Sequence, residues 1–251
     1  MPAALSVNVN KIALLRNSRP LPYPDPAALS RLALDAGAAG ITVHPRPDAR
    51  HIRPDDVAAV AALLAEPAYA GREFNIEGNP FEGRYLDHIS EAQPTQATLV
   101  PDDPNQSTSD HGWDVAGNLA RLRDVVAEVR QRGAGRVSLF VDADRPDDVA
   151  RVAETGADRV ELYTQPYAEA FDAGHADAAL DTFALAGEAA RAAGMGVNAG
   201  HDLTLANLPL FLGRVPGVAE VSIGHALVAD ALTLGIADTV RRYLDACRGP
   251  R

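Results

Sequence analysis

Four of the seven histidines sit where short apolar segments run out: His44 after Gly40-Ile41-Thr42-Val43, His201 after Asn198-Ala199-Gly200, His225 after Ile223-Gly224, and His51 a few residues past His44. Imidazole changes charge near neutral pH, so four on one rim point to proton transfer. Glu77 ends the otherwise apolar run Phe74-Asn75-Ile76. A carboxylate in such a run must be paired, protonated or functional. His44, Glu77 and His201 together read as a general acid–base set. His88 and His175, in or beside helical stretches, read as structural, and His111 is open to either reading. Asp142 and Glu161 read as paired structural carboxylates.

The rim also holds cations and glycine turns. Arg16 and Arg19, in the loop expected after strand one, and Arg46 join His51 there, and Gly200-His201 and Gly224-His225 follow the last two predicted strands. Glycine lets backbone N–H groups approach an anion closely, and such turns before a helix commonly hold phosphate. Small phosphorylated substrates are the expectation. No His-x-His or His-Glu-x-x-His spacing occurs, and no metal is expected.

The elements that must position these groups recur as alanine-rich helical stretches, glycine turns and short strands. Residues 27–37, 115–132, 147–155 and 176–193 read as helices, and four strands follow them at 40–44, 137–141, 160–163 and 195–198. Segments 5–8, 74–77, 97–100 and 219–223 complete eight strands, and a helix over 226–247 closes the chain. Alternating units of this length specify a parallel sheet with helical crossovers. Eight of them in 251 residues predict an α/β fold, a (β/α)8 TIM barrel with one domain over residues 1–251. No Gly-x-Gly-x-x-Gly turn follows the first strand, against a dinucleotide-binding sheet. The polar stretch 101–113 after strand four reads as a long loop and a candidate lid.

Composition narrows the partners. With 34 acidic against 23 basic residues, the formal net charge is −11, which disfavours nucleic acid and anionic membranes. No stretch approaches the ~18–20 apolar residues of a membrane span, and Cys247 is the single cysteine. A cytoplasmic protein is expected. Lys11 is the one lysine. A lysine is a compact charge with a movable pKa, so Lys11 is a candidate for work that arginine cannot do.

In this order the residues resemble the pyridoxine 5′-phosphate synthase family. The resemblance rests on Val7-Asn8, Leu15-Arg16-Asn17-Ser18-Arg19, Gly40 to His44 with Arg46 and Arg50-His51-Ile52, and Asn75-Ile76-Glu77. It continues through Leu99-Val100-Pro101, Thr108, Trp113-Asp114, Ser138-Leu139-Phe140, Asp142-Ala143-Asp144, Val197 to His201 and Ile223 to Ala226. It implies a barrel that condenses 1-deoxy-D-xylulose 5-phosphate with 3-amino-2-oxopropyl phosphate, releasing phosphate and water. By the same resemblance the enzyme is a homo-octamer built from dimers and uses no cofactor. His44 and Glu77 become proton acceptors and His201 the proton donor. Asn8, Arg19, Gly224 and His225 hold the aminoketone phosphate, and Arg46, His51 and Thr108 the deoxyxylulose phosphate.

Asn10-Lys11 stands where the commoner family pattern has Asp-His, and Asp202 where it has glycine. Both are expected at substrate contacts. Asp102 replaces a glutamate, His111 a glycine, and Tyr163-Thr164-Gln165 a His-Thr-Gly. A second reading makes the chain a barrel lyase or aldolase in which Lys11 forms an imine with a keto-phosphate. Against it, Lys11 comes from strand one, whereas the imine lysine of barrel aldolases comes from strand six.

Overall fold

Apolar and polar residues alternate along the strands, as in Leu5-Ser6-Val7-Asn8, Ile41-Thr42-Val43 and Phe74-Asn75-Ile76-Glu77. Successive strand side chains point to opposite faces, so this alternation assigns one face to apolar packing and the other to polar groups. The computed structural model describes residues 2–103, 106 and 108–250. Its strands are β1 (Ala4–Asn8), β2 (Gly40–Val43), β3 (Glu73–Gly78), β4 (Gln96–Leu99), β5 (Arg136–Val141), β6 (Arg159–Tyr163), β7 (Gly196–His201) and β8 (Val218–Ile223). Each pairs in parallel with the next, and β8 returns to β1 to close the barrel.

The predicted strands are all present, and helices separate them around the outside. Two boundaries differ from expectation. The segment after β1 is no loop: Asn8 Oδ1 accepts the Asn10 N–H at 3.0 Å and a helix runs from Asn10 to Asn17. The closing helix is two, His225–Leu234 and Ile236–Ala246, because Gly235 between them takes φ +77°. The stretch 101–113 has no helix or strand among its described residues. Pro104, Asn105 and Ser107, on which part of the lid expectation falls, lie outside the described residues.

The hydrophobic core lies between the barrel wall and the helices. Leu5, Val7, Ile41, Val43, Ile76, Leu139, Val160, Val197, Val221 and Ile223 are fully or almost fully buried there. Inside the barrel the strands present polar groups that bond across it. Ser6 and Thr42 hydroxyls lie 2.7 Å apart, Asn75 donates to Thr42 at 3.3 Å, and Thr98 donates to Asn75 at 2.9 Å. Toward the N-terminal strand ends, Glu220 accepts from Arg136 and Arg159, both at 3.0 Å, and from Gln96 at 3.3 Å. Arg136 also pairs with Glu73.

The helix after β1 corrects the reading of Arg16 as a rim residue. Arg16 is buried and forks onto Asp56, with Nη2 at 2.8 Å from Oδ2. Its Nη2 and the Asn17 side chain also donate to the His51 carbonyl, at 3.3 and 2.7 Å. The pair thus ties the first helix to the segment carrying His51. Replacing Arg16 by alanine leaves the Asp56 carboxylate buried and short of its partner. A loss of about 3–5 kcal/mol is expected in urea unfolding at fixed protein concentration. A loss below ~1 kcal/mol would show the fork to be dispensable.

Candidate active site

A cavity of about 600 Å³ opens at the C-terminal ends of the strands. It is lined by His44, Glu77 and His201, and by Asn8, Asn10, Lys11, Arg46, His51, Thr108, Asp202, Gly224 and His225. Arg19 is the predicted site residue that does not line it. The helix Asn10–Asn17 carries the chain away from the mouth, and Arg19 lies exposed in the turn beyond it.

β1 sets the first two catalytic candidates through asparagines. Asn8 Nδ2 donates to Glu77 Oε2 at 3.3 Å, while Asn10 Oδ1 accepts the His44 backbone N–H at 2.9 Å. His44 Nδ1 lies 3.8 Å from Glu77 Oε2, and its Nε2 lies 3.5 Å from Asp102 Oδ2. These spacings would favour a charged pair, but desolvation opposes it more strongly. Burial, helped by Arg46, lowers the His44 pKa to about 3. Burial also raises Glu77 well above the ordinary carboxylate range, reinforced by Glu161 and Asp102. Burial thus disfavours the charged form of both groups.

His51 is neutral too, its pKa lowered to about 3 by burial and then by His44 and Arg46. Its Nδ1 accepts the Ile52 N–H at 2.9 Å, which leaves the proton on Nε2 as a donor. Arg46 is tied to the segment after β4: it donates to Asp102 Oδ2 and the Asp103 carbonyl at 2.8 Å and to the Gln106 carbonyl at 3.0 Å. Its Nε is buried without a hydrogen-bond partner among the described residues.

On the opposite wall, β7 delivers His201 with φ +85°. Its Nδ1 lies 2.9 Å from Asp202 Oδ2 and its Nε2 3.1 Å from Thr108 Oγ1. Gly224 precedes the helix His225–Leu234, so that helix starts at the cavity wall, and a helix N-terminus is the kind of element that favours an anion. A Cβ on Gly224 would sit 3.1 Å from the Asn8 side chain, so glycine here keeps β8 close to β1. Gly200 has a different use from the expected anion approach. A Cβ there would sit 2.8 Å from Glu161 Oε1 and from the Ser222 carbonyl.

Two carboxylates of the site escaped the sequence reading. Glu161 is no paired structural carboxylate: it lines the cavity, and its buried Oε2 has no hydrogen-bond partner among the described residues. Burial and then the charge of Glu220 raise its pKa to about 8. Asp102 joins Arg46 and His44 and accepts from Ser109 at 3.1 Å. Glu161 could have been found from Val160-Glu161-Leu162, where alternation puts the carboxylate inside the barrel. Asp142 does behave structurally, accepting the Gly112 N–H at 2.8 Å. His111 is exposed beside Asp110, their side chains 2.6 Å apart. Among the described residues no group of three or more His, Cys, Asp or Glu could hold a metal ion.

Proteins similar in sequence identify the family of this chain. A protein from Allorhizobium ampelinum named pyridoxine 5′-phosphate synthase is 56% identical over 251 residues, 98% of each chain. One of the same name from Xanthomonas axonopodis pv. citri is 55% identical over 254 residues, covering 99% of this chain and 98% of its own. A crystal structure of 3-keto-L-gulonate-6-phosphate decarboxylase from Vibrio cholerae superposes with a TM-score of 0.65 over the full length of both chains. At 13% identity that likeness shows the barrel fold alone. The family described as "Pyridoxal phosphate biosynthesis protein PdxJ" matches residues 5–249, and the chain belongs to it.

Proposed function

We propose that this chain makes pyridoxine 5′-phosphate in vitamin B6 biosynthesis, condensing 1-deoxy-D-xylulose 5-phosphate with 3-amino-2-oxopropyl phosphate and releasing phosphate and water. The observation that carries the site assignment is the convergence of His44, Glu77 and His201 on one cavity at one barrel end. The substrate amine supplies the imine nitrogen, so the chain's own residues only have to bind, orient and move protons.

The protonation states suit successive proton transfers. A neutral His44 accepts a proton without first losing one. Glu77, once ionised in its desolvated niche, is a stronger base than an exposed glutamate. His201 faces the same space from β7 and acts as the donor that helps water and phosphate leave. Protonated Glu161 supplies a further hydrogen-bond donor at the cavity floor.

Two phosphate groups need positive charge and N–H donors on an acidic protein. Lys11, His225 and the helix N-terminus after Gly224 supply them on one side; His51 Nε2–H, Arg46 and Thr108 do so on the other. Asn8 and Asn10 line the same wall and hold Glu77 and His44 in place. The reading includes a homo-octamer in the cytoplasm. Exposed Leu14, Leu15, Leu21 and Tyr23 along one short segment fit contacts between subunits. No helix of the described residues is long and apolar enough to cross a membrane.

Purified protein mixed with both substrates should form pyridoxine 5′-phosphate, read by its absorbance, in step with phosphate release. Absence of product while each substrate binds would overturn the reading. His44→Asn and Glu77→Gln should each lower kcat about 100-fold or more while both substrates still bind. Borohydride should trap no adduct on Lys11, and an adduct there would favour the aldolase chemistry.

The raised pKa of Glu161 has a thermodynamic consequence. Its folded pKa, about 8, lies above the ordinary 4.5, so its contribution to stability is full below pH 4.5 and lost as pH rises to 8. The Glu161→Gln variant lacks this titration. Its unfolding free energy relative to the parent should climb between pH 4.5 and 8, approaching about 1.4 kcal/mol per pH unit at the steepest. A difference that does not change with pH would mean Glu161 is ionised in the folded protein.

A further inference from the structure

We propose that Asp202 is a positioning residue for His201: its carboxylate holds the imidazole through Nδ1 and leaves Nε2 to carry the working proton. The inference rests on the acid–base reading of the site and adds a residue to it. In a regular strand consecutive side chains point to opposite faces, so neighbours cannot normally bond to each other. His201 ends β7 with φ +85°, a conformation rare for residues other than glycine. That turn brings the two side chains alongside, with Nδ1 2.9 Å from Asp202 Oδ2. Local backbone strain of this kind persists only when surrounding contacts hold it. Here Asn207 Nδ2 donates to the Asp202 carbonyl at 3.2 Å, and Asn207 Oδ1 accepts the Thr204 N–H at 2.7 Å.

The ring is fixed from its other sides as well. The Tyr163 ring meets it edge-on with centroids 5.6 Å apart, and Thr108 Oγ1 lies 3.1 Å from Nε2. A carboxylate has only acceptors, so the bond to Asp202 requires the proton on Nδ1. Nε2 is then the nitrogen that gains and loses a proton, and it points toward Thr108 at the cavity wall. When His201 is doubly protonated, Asp202 also balances its charge. The charged or titratable groups around the pair are Tyr163 on β6, His44 and Asp102 across the cavity, and His225 and Lys11 beside it. The hydrogen bond from His201, with His225 and Lys11, holds Asp202 below the usual carboxylate range, so it stays ionised at neutral pH.

The position makes an alternative testable. A carboxylate beside the Gly224–His225 wall would repel a phosphate dianion if it faced one alone. If repulsion were its whole effect, removing it would tighten substrate binding and leave kcat unchanged. If it positions His201, removal lowers kcat and leaves binding nearly as it was.

Steady-state kinetics and NMR of the full chain labelled with [15N]histidine, with His201 assigned by its absence in His201→Gln, separate these outcomes. In the parent protein His201 should carry its proton on Nδ1, with Nε2 the titrating nitrogen. Asp202→Ala should lose that tautomer preference and lower kcat roughly 10- to 100-fold, with KM for each substrate within about threefold. Asp202→Asn keeps an acceptor without the charge and should fall between, and Asp202→Glu should recover part of kcat. If Asp202→Ala does not fold, the near-isosteric Asp202→Asn carries the test. An unchanged tautomer, an unchanged kcat, or a lower KM at constant kcat would each overturn the proposal. Failure of the parent protein to form pyridoxine 5′-phosphate would instead overturn the reaction assignment, while the NMR result judges the Asp202–His201 pair independently.

Discussion

A closed parallel barrel has two faces, and in this protein nearly all the apolar side chains of the strands turn outward to the helices. The inward face is left to Ser6, Thr42, Asn75, Gln96, Thr98, Asn198 and Glu220, all almost fully buried. Buried polar groups are costly unless they bond, so these side chains must bond one another across the lumen. They do so in layers, with Arg136, Arg159, Gln96 and Glu220 at one end and Ser6, Thr42, Asn75 and Thr98 above them. The layer that lines the cavity is the last of these. Glu77, Glu161 and Ser222 stand on a floor already organised by polar contacts rather than on an apolar plug.

That floor explains the protonation pattern. Desolvation outweighs the attraction between His44 and its neighbouring carboxylates, so the histidine is held neutral and Glu77 and Glu161 are pushed upward. A site with several potential anions thus avoids crowding negative charge where phosphorylated substrates must enter. Asn8 at the end of β1 and Asn10 at the start of the next helix complete the arrangement, the first bonded to Glu77 and the second to the backbone of His44. The two acid–base groups are therefore referenced to the same short segment of chain. Arg16 and Asn17, in the helix that follows, extend that reference to His51.

Strand number, the parallel order and the placing of His44, Glu77 and His201 at the C-terminal strand ends were legible because they depend on local patterning. Glycine turns, alanine-rich helices and short strands repeat along the chain, and the barrel rule then locates the site. The polar lumen was legible too, through alternation such as Val160-Glu161-Leu162, yet reading strands as buried apolar runs concealed Glu161. Arg16, Arg19 and Arg46 show the limit of that approach. Charge and proximity in sequence place all three near the rim. Their fates diverge: a buried fork with Asp56, an exposed turn, and a clamp on the segment after β4.

By itself the sequence determined the barrel and the family, because periodicity and ordered motifs survive in one dimension. Which nitrogen of His201 faces the cavity, and that Asp202 lies beside the other, was decided only by the tertiary structure. So were the neutral state of His44 and the raised pKa of Glu161. Each depends on burial and on distances of about 3 Å between groups brought together by the closed barrel or by a strained turn, and desolvation scales with surroundings that no spacing in the sequence encodes.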